Sequence, residues 1–429
     1  MGQASKKHQT RTGWMYATLY EEILRVLAIN QIVPVEAIYS LSDNYKYVVR
    51  LIKKGITDGD IKKRTLIFKR NNNEYNVNVL SLSKSGFRRY AISVLPMEKI
   101  SDIDFTSLSL SGGNSVSEAE YIRQAKMSEA RILSAAAGAR TSDFPKSAIN
   151  ETANKNKSFV SVLKQLSRNE DKDIGRIIIG DSHADSDIMF HNNREVKDIV
   201  ESETKRTREQ MMGYQRCLFN GIIESQFKTV LMYSSYNVGF SWGKWDVQED
   251  VKLGKLWSES GAQKKTYEQI VDDELLWGMF FVKNKRQFVQ YYRDDAGRRS
   301  KETDFGWGFK NFYAVPKSKI GAKQLRFLMQ TDDDKYNRGV ANGLIADMGY
   351  NINTGVAESE RRLFPVKDKY GNRTYIGIQM DVREIQILER WLNGRSSSMM
   401  NIVCFEWQRE YYEELFEKCR TTIIPMPAL

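Results

Sequence analysis

The 429-residue sequence is poor in the residues that staple or catalyse: it holds three cysteines, three histidines and seven prolines. Cys217, Cys404 and Cys419 are scattered and odd in number. That excludes a disulfide framework and a zinc knuckle, and it predicts a reducing, cytoplasmic setting. No apolar run approaches the roughly 20 residues that span a bilayer. The opening "MGQASKKHQTRTG" lacks the apolar core of a secretory signal, and Lys6 stands where a myristoylation motif wants Ser or Thr. No membrane partner is therefore expected. There is no P-loop, no pair of histidines one residue apart and no G-x-S-x-G elbow. These gaps argue against ATP-driven unwinding, against the metal-and-tyrosine chemistry of rolling-circle initiators, and against a serine hydrolase.

What the sequence does have is positive charge, unevenly placed. The net charge is +11, and residues 1–100 hold 17 Lys and Arg against 8 Asp and Glu. That segment alone carries an excess of nine, so the other 329 residues are nearly neutral. A basic block on a neutral body predicts a polyanion-binding module attached to a carrier. The plain alternative is a slightly basic, well-solvated surface.

The pattern within that block predicts a winged helix-turn-helix over residues 13–97. "WMYATLYEEILRVLAIN" places Leu19, Ile23, Val26 and Leu27 on one helical face. "VPVEAIYSL" reads as a short helix with Pro34 in its first turn. Ser42 or Asp43 is expected to cap a third helix, with Gly55 as its stop. Two β-rich runs, "RTLIFKR" and "EYNVNVLSLS", flank "NNN" as a hairpin, and "SKSGFRRYAISVL" closes the unit as a helix.

The third helix divides into an apolar back, Val48, Val49, Leu51 and Ile52, and a polar front. That front, Asn44, Tyr45, Lys46, Tyr47, Arg50, Lys53 and Lys54, supplies the donors a major-groove helix needs. Lys62, Lys63, Arg64, Lys69 and Arg70 on the hairpin suit phosphates or a minor groove.

Residues 98–174 read as a Ser/Gly-rich linker, a helix over 116–137 and a polar loop. Residues 175–429 alternate short strands and longer helices, which predicts a mixed α/β domain and an α+β fold class for the whole. Strands are expected at "GRIIIGD", "FKTVLMYSS", "YNVGFSW", "RFLMQ", "TYIGIQMD" and "MNIVCFEW". Helices are expected over about 195–223, 267–282, 336–348, 382–393 and 406–419. In "GDSHADSDIMFHNN", the side chains of Asp181, His183, Asp185, Asp187 and His191 follow an apolar strand and could hold a divalent metal for phosphoryl chemistry. Their spacing matches no metal signature, and a polar loop explains them as well.

The head resembles the N-terminal domain of replication–relaxation-type proteins and related plasmid proteins of low-GC Gram-positive bacteria. The resemblance lies in "EEILRVLAINQIVPVEAIYSL", "YKYVVRLIKKGIT" and "VLSLSKSGFRRY". It extends to "IRQAKMSEARILSAAAGA" and to "SQFKTVLMYSSYNVGFSWGKW". It implies DNA binding linked to plasmid replication, mobilisation or maintenance. In that family the C-terminal part is nuclease-like and carries acidic residues after a Pro-Asp pair, which this sequence lacks.

The expectation is a sequence-specific protein that binds double-stranded DNA and needs no cofactor. It is expected to dimerise through the 116–137 helix and to meet replication or transfer proteins. Two alternatives stand beside it: a Mg²⁺-dependent nuclease or relaxase, and a transcriptional regulator sensing a ligand in its C-terminal domain.

Overall fold

The computed structural model describes residues 19–30, 32–70, 73–94, 118–141, 188–204, 220–234, 250, 252–257, 276–282, 288, 309–393, 399–417 and 419–427. The chain is mixed α+β. Its contacts divide it into two units. The first is Met1–Met211 with Phe219–Ile223 and Lys317–Ala322; the second is Met212–Leu218, Glu224–Pro316 and Lys323–Leu429. No helix among the described residues is long and apolar enough to cross a membrane.

The first unit opens with α1 (Leu19–Asn30), β1 (Val33–Pro34), α2 (Val35–Ile38) and a single 3-10 turn over Tyr39–Leu41. Then come α3 (Tyr45–Thr57), β2 (Ile61–Arg70), β3 (Asn73–Leu82) and α4 (Lys84–Val94). The three strands form one antiparallel sheet in the order β1-β3-β2, with Arg70 opposite Asn73 at the hairpin end. The first two positions of the asparagine run aside, the hairpin is therefore described up to its tip. Apolar side chains at helical spacing on α1 (Ile23, Leu24, Leu27) meet Val48 and Ile52 of α3, Ile61 of β2, Leu80 of β3 and Phe87 of α4 in one core.

Three local expectations are corrected. Val33 and Pro34 form a strand paired to Leu80 and Val79 rather than a helical turn, which Pro tolerates at the sheet edge. Asn44, not Ser42 or Asp43, caps α3. Gly55 does not stop α3, which runs on to Thr57. It is buried, and a Cβ there would lie 2.6 Å from Ile61 Cδ1 and 2.9 Å from Tyr20 Oη. The glycine lets α3 approach β2; the turn that follows uses Gly59 at φ +76°.

Next in the first unit is α5 (Glu118–Ala136), the helix expected to serve dimerisation. Its Ile132 joins the core just described, and Ser128 Oγ donates to Asn30 O at 3.3 Å. Glu129, fully buried on the same helix, pairs with Lys317 at 2.5 Å. The unit also holds β4 (Arg140–Thr141), parallel to β5 (Met189–Asn192), and α6 (Asn193–Thr204). The helix expected over 195–223 does not run to its end, because β6 (Gly221–Glu224) is a buried strand.

The second unit contains a parallel run in the order β7 (Thr229–Ser234), β8 (Leu276–Val282) and β9 (Phe309–Pro316). Residues 276–282 are thus strand, against the helix expected over 267–282. "RFLMQ" is likewise helix rather than strand: it closes α7 (Lys319–Gln330), where Leu325, Leu328 and Met329 are buried at helical spacing. After α7 comes α8 (Asp333–Met348), capped by the Asp332 side chain and ended by Gly349 at φ +68°. β10 (Asn351–Ile352), α9 (Glu358–Leu363), β11 (Val366–Lys367) and β12 (Arg373–Ile376) follow. The chain then alternates α10 (Val382–Asn393), β13 (Met400–Phe405), α11 (Arg409–Leu415) and β14 (Thr421–Met426). Strands β10 to β14 make a five-stranded sheet in sequence order, and β12, β13 and β14 are parallel. Every residue of β13 is buried, as a strand covered on both faces requires. The expected strands "GRIIIGD" and "YNVGFSW" lie outside the described residues.

Candidate nucleic-acid interface

Helix α3 forms because Asn44 satisfies its first turn: the Asn44 side-chain oxygen accepts from Tyr47 N at 3.1 Å. Residues 48, 52 and 55 then recur at helical spacing and turn inward, each buried. The same geometry forces Lys46, Arg50, Lys53 and Lys54 onto the opposite face, and all four are exposed. Tyr45 and Tyr47 are 56% and 43% exposed, enough for both rings to meet a ligand. The Tyr45 ring also meets Tyr39 edge-on at 6.1 Å, which orients it.

On β2, Lys62, Lys63 and Arg64 are exposed. The Arg64 guanidinium lies 4.7 Å above the Tyr121 ring of α5, a cation–π contact that fixes its position without neutralising it. Lys69 and Arg70 continue the strand opposite Glu74 and Asn73, and their side chains lie outside the described residues.

Four cations of α3 and three of β2 thus point outward, and none pairs with a carboxylate among the described residues. The same unit shows what a neutralised cation looks like. Arg89 reaches Asp60 at 2.6 Å and Asp58 at 3.6 Å. Asp60 is fully buried and also accepts from Tyr20 Oη at 2.7 Å and Ser85 Oγ at 3.2 Å. Burial, and then the Asp60 carboxylate, push the Tyr20 phenol well above its ordinary value. The Asp60 cluster is a fixed internal tie between α1, the α3–β2 turn and α4.

All of the groove-facing residues expected on α3 are therefore exposed together, with one qualification of role. Asn44 spends its oxygen on the helix cap, which competes with two-point recognition of an adenine. Sequence reasoning missed Tyr121 as the platform for Arg64. The two residues are far apart in the chain, and no local pattern joins them. The metal candidates Asp181, His183, Asp185 and Asp187 lie outside the described residues; His191 is a buried residue of β5. Among the described residues no three His, Cys, Asp or Glu side chains converge as a metal site.

Comparison with known proteins finds no matching family model, no matching curated protein and no matching solved structure.

Proposed function

We propose that residues 19–94 act as a winged helix-turn-helix head that binds double-stranded DNA. In this reading α3 lies in the major groove and the β2–β3 hairpin is the wing against the flanking backbone. The observation that carries it is the set of seven outward cations on α3 and β2 with no carboxylate partner among the described residues, next to an Arg89 that is fully paired. Leaving like charges together and unneutralised costs stability, and a phosphate backbone is the partner that relieves it. The element order and the sheet order β1-β3-β2 support the same reading, since they leave α3 backed by a core and open in front.

Arg50 is the base-reading side chain of this scheme, since a guanidinium can grip guanine at two points. Lys46, Lys53, Lys54, Lys62, Lys63 and Arg64 hold the duplex by its phosphates. Tyr45 and Tyr47 add apolar and hydrogen-bonding contact at the start of the helix. The resemblance of the head supports a place on a plasmid or other mobile element, in replication initiation, mobilisation or maintenance.

The test is selection from a random duplex pool by the full chain, followed by binding of the selected site. A single enriched site is expected. Arg50→Ala with Lys53→Ala and Lys54→Ala should weaken binding to it by at least ~100-fold, three contacts at about 1 kcal/mol or more each, with an unchanged melting temperature. Retained affinity in a folded triple variant would remove α3 from the interface.

A further inference from the structure

The second unit carries an open groove of about 810 Å³ between α8 and β14. Its walls are apolar: Tyr336, Val340, Leu344 and Met348 on the helix side, Ile424 and Met426 on the strand side. Two features shape this groove. Gly339 and Gly343 stand in the interior of α8, where glycine is unfavourable, and both line the groove. Neither is there for close packing, because a Cβ at either position would meet nothing within 4 Å. Their effect is to lower the helix wall by two side chains. The second feature is β14 itself, which ends the sheet order. One row of its backbone groups faces no strand among the described residues. Pro425 and Pro427, both lining the groove, remove two donors from this edge, a device that discourages indiscriminate edge pairing.

We propose that this groove docks an extended apolar segment of a partner protein, added as a strand along β14, with a Lys or Arg where the segment passes Asp347. Charge assigns the cation. Asp347 lines the groove in the last turn of α8, where the helix dipole disfavours a carboxylate. It is exposed and has no cation partner among the described residues. Asp332, which lines the other end of the helix, adds a second negative charge, and Lys335 lies one turn from it.

Area argues against a second copy as occupant. Six residues of β14 span about 20 Å, so a flat facing copy would cover on the order of 200–300 Å² of this groove, against the ~800 Å² per partner of a standard interface. An inserted strand needs no such breadth. It is covered from the helix side and the strand side at once, and its own N–H groups donate to the carbonyls that the proline-bearing edge still offers.

A random peptide library displayed on phage and selected on the full chain tests this. The expected result is enrichment of peptides with apolar residues at alternate positions and a Lys or Arg at one end. Gly343→Leu, which fills open space, should weaken them at least tenfold with an unchanged melting temperature. Asp347→Arg, an exposed change that does not touch the core, should turn the selected terminal charge from basic to acidic. The proposal is overturned if no such motif is enriched, if the enriched peptides bind Gly343→Leu and Asp347→Arg as they bind the parent, or if Gly343→Leu instead dissociates a dimer of the full chain.

Discussion

The cations of α3 and β2 and the bridged cations of the second unit are treated in opposite ways. On α3 and β2 of the first unit, seven Lys and Arg side chains face outward without a carboxylate among the described residues. In the second unit Lys228 is almost wholly buried; its ammonium donates to Asp333 Oδ1 and to Leu328 O, both at 2.6 Å. Arg373 meets Glu360 at 2.6 Å and Arg409 meets Glu413 at 2.7 Å. A charge satisfied inside the chain serves the fold; under the proposed function, the charges held out on α3 and β2 serve a partner outside it. Net charge alone does not separate these cases, because a paired lysine and an unpaired one count the same.

The comparison is sharpest where a paired charge is removed. Lys228→Met should destabilise the second unit by about 3–5 kcal/mol, since Asp333 is left enclosed without its cation. Denaturant melts would show the loss, and DNA affinity below the transition should be unchanged. A loss of affinity in the folded protein would break the division between the two classes of charge.

Asp60→Ala asks the same question within the first unit. Tyr20, Ser85 and Arg89 would lose a common acceptor, at a cost of about 2–3 kcal/mol. The folded fraction should still bind DNA as the parent does, because no outward cation of α3 or β2 depends on Asp60.

The smallest effect concerns pH. Asp381 is buried in the second unit, accepting from Phe312 N at 3.1 Å and Arg383 N at 3.0 Å. Burial raises its pKa despite these hydrogen bonds, and the nearby Glu384 is raised by burial and by the Asp381 charge. The folded state then holds protons that the unfolded chain has released. The stability these groups contribute is full below the ordinary carboxylate range and is lost as pH rises through their raised folded values. Melting temperature should fall as pH rises from about 4 towards neutrality, and Asp381→Asn should flatten that slope by about 2 °C or more. Scanning calorimetry across this range reads it directly.

Local signals carried much of the architecture. The order α1, α3, β2, β3, α4 was legible because periodicity and the asparagine run are short-range features; strand β1 and the Asn44 cap were not. Helix α10 over 382–393 and strand β13 within "MNIVCFEW" were legible for the same reason. Strand β8 and the end of α7 were not. "LWGMFFV" and "RFLMQ" are both short apolar runs, and only their surroundings make the first a strand and the second the end of a helix. At the interface, exposure of Lys46, Arg50, Lys53 and Lys54 follows from helical period, which the sequence displays. The pairing state of each cation does not follow, because Arg89 finds Asp60 and Arg64 finds Tyr121 only through the fold. Gly55 shows the same limit: a stop signal by residue type is in fact a packing contact.

The most direct test of the central claim, that the outward cations of α3 and β2 meet phosphates, is the salt dependence of DNA affinity. For six phosphate contacts the slope of log affinity against log salt should be about −5, and losing Lys46, Lys53 and Lys54 to alanine should make it shallower by about 3. A slope near zero, or one that the triple variant leaves unchanged, would contradict the account.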